Sequence, residues 1–197
     1  GFYTELNNPY ILSGQQELPS GISIINRRNG DAASVQGVNL EANMAFTDQL
    51  IFQSGATIQT ARYHSVEEIW TPSDNGDQRP PTTTKRLLRT PDMYGYFTVS
   101  WSPVEAITAS YSGVITGPMD VAHVIEPETE YTVIKRTPTF FEQNVKLAYD
   151  IAIDERFRLQ LFGGIQNFLN SYQDDFDTGI NRDGNYVYGP SRPRTVF

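Results

Sequence analysis

Apolar and polar residues alternate along this chain over stretches long enough to cross a bilayer. That pattern admits strands with one oily and one wet face and little else. In the segment 139–153 the odd positions are Phe141, Gln143, Val145, Leu147, Tyr149, Ile151 and Ile153, and the even ones include Glu142, Asn144, Lys146 and Asp150. The next segment repeats the pattern. Phe157, Leu159, Leu161, Gly163, Ile165 and Leu169 share a face interrupted only by Asn167, with Arg158, Gln160, Gln166 and Phe168 on the other. Met93, Gly95, Phe97, Val99 and Trp101 oppose Asp92, Tyr94, Tyr96, Thr98 and Ser100, and Ile107, Ala109, Tyr111, Gly113 and Ile115 oppose Thr108, Ser110, Ser112 and Thr116. Earlier the even positions are apolar: Val38, Leu40, Ala42, Met44 and Phe46, then Leu50, Phe52, Ala56 and Ile58.

The connections alternate as well. Three are short: 47–49, 103–105 and 154–156. Read as three-residue turns, they pair like face with like face, with Phe46 opposite Leu50, Ser102 opposite Ala106 and Ile153 opposite Phe157. A turn one residue shorter would flip every side chain on one strand. The turns fix the registers and predict Leu40 opposite Ala56, Val99 opposite Ala109 and Tyr149 opposite Leu161. The other connections, 64–90, 120–138 and 170–190, are long, which is uncommon in compact domains unless the loops are functional. Strands longer than the ~5–6 residues usual in a sandwich, short turns at one end, long loops at the other and an apolar face on each strand are the pattern of an outer-membrane barrel. The expected fold is all-β, an antiparallel meander of about eight long strands forming part of a transmembrane β-barrel. The strands expected are 1–12, 20–46 with a break near 29–30, 50–63, 92–102, 106–119, 139–153, 157–169 and a stub at 192–197. Val145, Leu147, Ile151, Leu159, Leu161 and Ile165 then face lipid, and Glu142, Lys146, Asp150 and Arg158 face the lumen. Phe46, Trp101 and Phe157, beside the short turns, suit an interfacial aromatic girdle. A soluble β-sandwich and a small closed barrel remain the alternatives.

Composition removes other classes. The 197 residues carry 23 acidic and 15 basic side chains, a net charge of −8, which argues against nucleic acid as a partner. No cysteine is present, so disulfide frameworks, cysteine-ligated zinc and thiol nucleophiles are excluded. Mean hydropathy is −0.41, no run approaches the ~18–20 apolar residues of a membrane helix, and no leader of the charged-then-apolar type opens the sequence. No catalytic triad, paired-histidine motif or glycine-rich phosphate loop occurs, so the chain is not expected to be an enzyme or to need a cofactor or metal.

The segments Gly163-Gly164-Ile165-Gln166-Asn167-Phe168-Leu169-Asn170-Ser171-Tyr172 and Gly189-Pro190-Ser191-Arg192-Pro193-Arg194-Thr195-Val196-Phe197 resemble the penultimate strand and the entry to the last strand of TonB-dependent outer-membrane receptors. Gly1-Phe2-Tyr3-Thr4, Ile25-Asn26 and Gly37-Val38-Asn39-Leu40-Glu41 resemble recurring positions of the same family, with Asn39 where it usually has Glu. The Tyr172–Phe176 and Tyr188–Pro190 stretches are similar to receptors of the Bacteroides group. The resemblance implies that residues 1–197 are the C-terminal part of a 22-stranded transmembrane barrel domain, without its plug domain and earlier strands. It further implies energised uptake of a scarce solute such as cobalamin or an iron chelate across the bacterial outer membrane. In that family the small-molecule substrate binds the extracellular loops and the plug, and TonB pulls on the plug. The implied partners are the rest of the receptor, TonB through the plug, outer-membrane lipid and a surface lipoprotein. A passive porin-like barrel is the rival function.

Candidate substrate contacts lie on the long-loop side and the lumen wall: Trp70, Tyr94, His123, Asp174 and Tyr188. Aromatic groups among polar residues favour ligand contact. His64 and His123, expected just past strand ends, read better as solvated loop histidines than as haem or metal ligands. The oxygen-rich stretch 174–185 reads better as a polar surface loop than as a calcium site, because Gly179 stands where an EF-hand needs an acid. The pairs Glu67–Glu68 and Glu126–Glu128–Glu130 read as solvated charge.

Overall fold

A computed structural model of the protein describes residues 1–17, 23–72 and 77–197, with the side chains of 10–28 outside the description. In chain order the strands are β1 (Phe2–Leu6), β2 (Tyr10–Glu17), β3 (Ser23–Asn29), β4 (Ala33–Thr47), β5 (Leu50–Trp70), β6 (Thr82–Arg86) and β7 (Met93–Val104). They continue as β8 (Ile107–Thr116), β9 (Asp120–Glu126), β10 (Tyr131–Arg136), β11 (Phe140–Ala152), β12 (Arg158–Gln166) and β13 (Thr195–Val196). The main sheet runs β1-β4-β5-β7-β8-β11-β12-β13, antiparallel throughout, with β6 paired to the far end of β5. Two hairpins, β2–β3 and β9–β10, form separate two-stranded sheets.

Directly opposed residues of an antiparallel pair lie on the same face, so the registers draw each face across the whole sheet. Leu40, Ala56, Gly95, Ile115 and Phe141 form one row, and Met44, Phe52, Val99, Tyr111, Val145, Ile165 and Val196 form another. The opposite face reads Asn43, Gln53, Thr98, Ser112 and Asn144. The apolar face is uncovered: Leu40 is 67% exposed, Leu147 57% and Leu161 55%. A sandwich would bury this face under a second sheet. A small closed barrel would pair β1 with β13, whereas β1 pairs with β4 and β13 with β12, at opposite ends of an open sheet.

The polar residues of the apolar face are shielded locally. Phe97 lies edge-on to Tyr111 at 4.9 Å, and the Tyr111 hydroxyl donates to the amide oxygen of buried Gln143. Phe97 also covers Gly113, where a Cβ would come within 2.3 Å of its ring. Asn167, at φ 50°, breaks the alternation that puts Phe168 on the polar face. The Phe168 ring instead stands 6.3 Å from Tyr111. Asn167 is fully buried, donating from Nδ2 to the carbonyls of Ser171 (3.0 Å) and Arg192 (2.9 Å) while its Oδ1 accepts from Ser171 N (2.9 Å). One amide thus ties the end of β12 to the segment entering β13.

Two of the three expected registers are present, with Leu40 opposite Ala56 and Tyr149 opposite Leu161. In the 154–156 turn, Asp154 Oδ1 accepts from the backbone N–H of Arg156 (2.7 Å) and Phe157 (2.9 Å), and Ile153 N donates to Phe157 O at 3.0 Å. The β4–β5 turn is tighter than expected. Thr47 faces Leu50, and a bulge at Phe46 restores the register. The third hairpin is shifted by two residues. Val104 faces Ile107, an irregularity follows Trp101, and Val99 opposes Tyr111 rather than Ala109. Pro103 has no N–H for the ladder, so the pairing breaks around it. A shift of two leaves both faces intact. Other expectations are corrected at the strand ends. Segment 1–12 divides into β1 and β2, the strand expected over 106–119 stops at Thr116, and the final stub pairs only from Thr195, whereas 20–46 breaks after Asn29 as expected, into β3 and β4.

Thr98 and Val99 are adjacent in β7 and face opposite ways. On the expectation that the apolar face meets lipid, Val99→Arg costs about 2–4 kcal/mol more than Thr98→Arg, read as a fall in heat-modifiable folded band at equal expression.

Candidate functional site at the hairpin end of the sheet

The three long connections are not open loops. β5 continues to Trp70, and β6 folds back on it with Glu67 opposite Thr84 and Glu68 opposite Thr83. Within 120–138, β9 and β10 pair, with Val133 opposite His123 and Lys135 opposite Val121. Segment 170–190 has no strand but packs on that hairpin: Tyr186 and Gln173 are buried, Tyr186 against Met119 and Val121. Both histidines therefore sit in strands. His64 lies within β5, its Nε2 3.2 Å from Glu5, and His123 lies within β9.

The His123 ring stacks on Tyr186 (3.6 Å, 12°), and its Nε2 lies 3.0 Å from both Asp177 oxygens. Asp177 also accepts from Asp183 N, and Asp183 accepts from Val124 N (3.0 Å), closing the segment onto β9. Asp175 receives Lys135 Nζ at 2.6 Å, Tyr186 OH at 2.9 Å and Tyr188 OH at 2.6 Å. Partial burial pushes the Asp175 carboxyl up, but the Lys135 ammonium and the two hydroxyls outweigh it and hold the group well below the usual carboxylate range. Burial first, and then the Asp175 hydrogen bond, push Tyr186 up to about 12 and raise Tyr188 further. Gln173 Oε1 accepts from Tyr188 N (2.8 Å) and Gly189 N (3.2 Å), while its Nε2 donates to Tyr186 O (3.1 Å). From the other side, Arg89 donates to the carbonyls of Val187 (2.8 Å) and Asn185.

A second cluster closes β5 against the β9–β10 turn. Trp70 meets Tyr131 edge-on at 4.8 Å and donates from Nε1 to Thr129 O at 3.1 Å. Arg79 lies over both rings and pairs with Asp77 (2.6 Å) and Glu126 (2.7 Å). At the junction with the sheet, Arg86 and Arg136 each bridge Asp92 and Asp120.

Of the five residues expected to contact substrate, His123 and Tyr188 share the first cluster, linked through Tyr186, which is edge-on to Tyr188 at 5.2 Å. Trp70 is buried in the second. Asp174 is exposed beside Asp175, and Tyr94 stands on the polar face in the row Asn39, Thr57, Tyr94, Thr116, Phe140. Lys135 and Tyr131 carry no signal of their own in the sequence, and Asp175 and Asp177 stand out there only within the oxygen-rich stretch 174–185. The signal was period two on a small scale, with Val121 and His123 facing Val133 and Lys135, and Asp175–Asp177 and Tyr186–Tyr188 spaced to match. Asp175, Asp177 and Asp183 turn to His123, Lys135, tyrosine hydroxyls and backbone N–H groups. Among the described residues no group of three acidic or histidine side chains gathers as a metal site.

No family model and no curated protein sequence matches this chain. Solved structures do match in fold. They include the ferric-catecholate import receptor Fiu of Escherichia coli K12 in a closed form (15% identity, TM-score 0.59), FpvA of Pseudomonas aeruginosa bound to a heterologous pyoverdine with iron (13%, 0.60), and a mutant of the ferric enterobactin receptor PfeA of Pseudomonas aeruginosa (12%, 0.58). Each match covers 98% of this chain and 23–27% of the receptor, so the chain spans about a quarter of their length. The likeness is one of fold: a section of barrel wall with its attached hairpins.

Asp175→Ala removes one ion pair and two hydroxyl partners. After allowance for solvent screening the expected cost is about 1–2 kcal/mol of local stability. Hydrogen exchange of the Tyr186 and Tyr188 amides is expected to quicken roughly tenfold while β11 and β12 stay protected. The sign of the pH effect follows from the shifts. The Asp175 contribution is lost as pH falls below the usual carboxylate range. That of Tyr186 is lost as pH rises from about 10 to about 12. Asp175→Asn should lower the Tyr186 midpoint, read by ultraviolet difference absorbance against Tyr186→Phe.

Proposed function

We propose that residues 1–197 are the C-terminal part of the transmembrane barrel of a TonB-dependent outer-membrane receptor, supplying barrel wall and extracellular segments for uptake of a scarce solute. The observation that supports this best is the apolar face, continuous across the main sheet, uncovered, and matched over 98% of the chain to the walls of import receptors. The apolar rows face lipid, and the polar rows face the lumen. Phe46, Trp101 and Phe157, all half or more exposed at the turn end, sit at the periplasmic interface. The hairpin end faces outward. In lipid the two sheet edges need further strands to pair with, so the partners are the rest of the barrel with its plug, TonB acting through the plug, and outer-membrane lipid. A surface lipoprotein is a further partner, and cobalamin or an iron chelate the solute.

Within this reading Trp70, Tyr94, His123, Asp174 and Tyr188 border the solute's path. The test is growth of a strain lacking the receptor gene on cobalamin or ferric chelates as limiting nutrient. Loss of growth on one nutrient, restored by the intact gene, is the expected result, and unchanged growth and uptake on all of them would remove the proposal. Tyr94→Ala and Asp174→Ala, both at exposed positions, should weaken uptake about tenfold each, the equivalent of ~1.4 kcal/mol, with normal barrel assembly.

A further inference from the structure

Arg79 sits where a ligand would sit. Its guanidinium carbon is 4.3 Å from the centre of the Tyr131 ring and 5.3 Å from that of Trp70, the geometry by which aromatic cages hold cations. Glu126 supplies the carboxylate at 2.7 Å, and Thr129 Oγ1 closes the site, 3.0 Å from Glu126 and 3.4 Å from Arg79. The walls do not depend on Arg79 for their position. Trp70 ends β5 and is anchored by its Nε1 bond to Thr129 O, and Tyr131 opens β10 and pairs with Glu126 across the hairpin.

The occupant is held differently. Arg79 lies in 77–81, outside any strand, and among the described residues that segment makes no backbone–backbone hydrogen bond. Its backbone N–H donates to Asp77 two residues away, and Asp77 takes the other edge of the guanidinium, so Asp77 moves with Arg79. Across the gap to the hairpin, the contacts are those of the Arg79 side chain itself. Withdrawing it breaks no strand ladder and leaves two rings and a carboxylate facing an emptied site.

We propose that Trp70, Tyr131 and Glu126 form a cation-binding cage in which Arg79 is a tethered stand-in, displaced by the guanidinium or alkylammonium group of an incoming solute. The capture step rests on the receptor reading, because it requires this end of the sheet to face outward; the cage itself does not. A cationic group gains the ring faces and Glu126 together. A neutral group of the same shape gains neither the ring quadrupole nor the ion pair, and cannot compete with the tethered arginine.

The test uses the intact receptor in detergent, with methylguanidinium as probe and methylurea as its neutral isostere, read by calorimetry. Arg79→Ala is expected to bind methylguanidinium at least tenfold more tightly than wild type, and methylurea no better than wild type does. Arg79→Gln should behave alike, which guards against local misfolding of one variant. Adding Trp70→Leu or Glu126→Gln to Arg79→Ala should abolish the gain. Equal affinity of wild type and both Arg79 variants for methylguanidinium, with the folded band retained, would overturn the cage. A gain for methylurea as large as that for methylguanidinium would overturn it too, since it would mean a nonspecific opening. Growth assays on the same variants separate this from the receptor reading: import intact with no cation gain removes the cage alone.

Discussion

The main sheet rests on the rule that residues facing each other across an antiparallel pair share a side. Two rows of the main sheet keep apolar opposite apolar throughout, one from Leu40 to Phe141 and one from Met44 to Val196. A slip of one residue at the β11–β12 hairpin would put charges such as Lys146 and Asp150 on the side of Leu159 and Leu161. The turns show how that penalty is avoided. Phe46 bulges out so that a tight turn still delivers Leu40 to Ala56, and the ladder breaks around Pro103 and resumes two residues along. Asp154 caps its own turn with two backbone hydrogen bonds. Local geometry differs at each turn, while the parity of the register is the same at all three.

Parity also explains where the side chains break the pattern. Gln143 and Asn167 lie in the apolar set, yet both are buried and engaged, one by the Tyr111 hydroxyl and the other by the backbone of Ser171 and Arg192. The left-handed turn at Asn167 carries Phe168 onto Tyr111, whose hydroxyl holds Gln143. A polar group held this way costs little in an apolar setting, because its hydrogen bonds are made within the protein.

The wall of the sheet was legible in the sequence because alternation is local, needing only neighbours along the chain. The hairpin end was legible in part. Its length and its aromatic and charged residues pointed to a task, and His123 and Tyr188 do meet there through Tyr186. The extension of β5 to Trp70, the β9–β10 hairpin and the docking of 170–190 were hidden for a physical reason. On the proposed reading these elements do not have lipid on one side, so their two faces differ less in polarity and the period weakens. What orders them is pairing between distant charges: Arg79 with Glu126, Arg86 and Arg136 with Asp92 and Asp120, Lys135 with Asp175. Single-sequence reading lists such residues as solvated charge because nothing in the sequence names the partner. Trp70 shows the same limit, since nothing in the sequence says that Tyr131 and Thr129 pack against it.

These pairings change what the hairpin end can do. A loop free to fold over a solute would have its cations facing solvent. Here Arg79, Arg86, Arg136 and Lys135 are each bound to carboxylates of another segment, and Arg89 to the carbonyls of 185 and 187. Each exposed pair is weak alone. Together they link β5–β6, β9–β10 and 170–190, and buried Tyr186 and Gln173 add packing that does not fade with salt. The three segments therefore behave as one preformed wall rather than three lids. Movement is cheapest where a segment is tied by side chains and not by a ladder, and 77–81 is such a place. On the proposed reading, selectivity at this end rests on fixed surfaces, such as the rings of Trp70 and Tyr131, and on which tethered group a solute is able to replace.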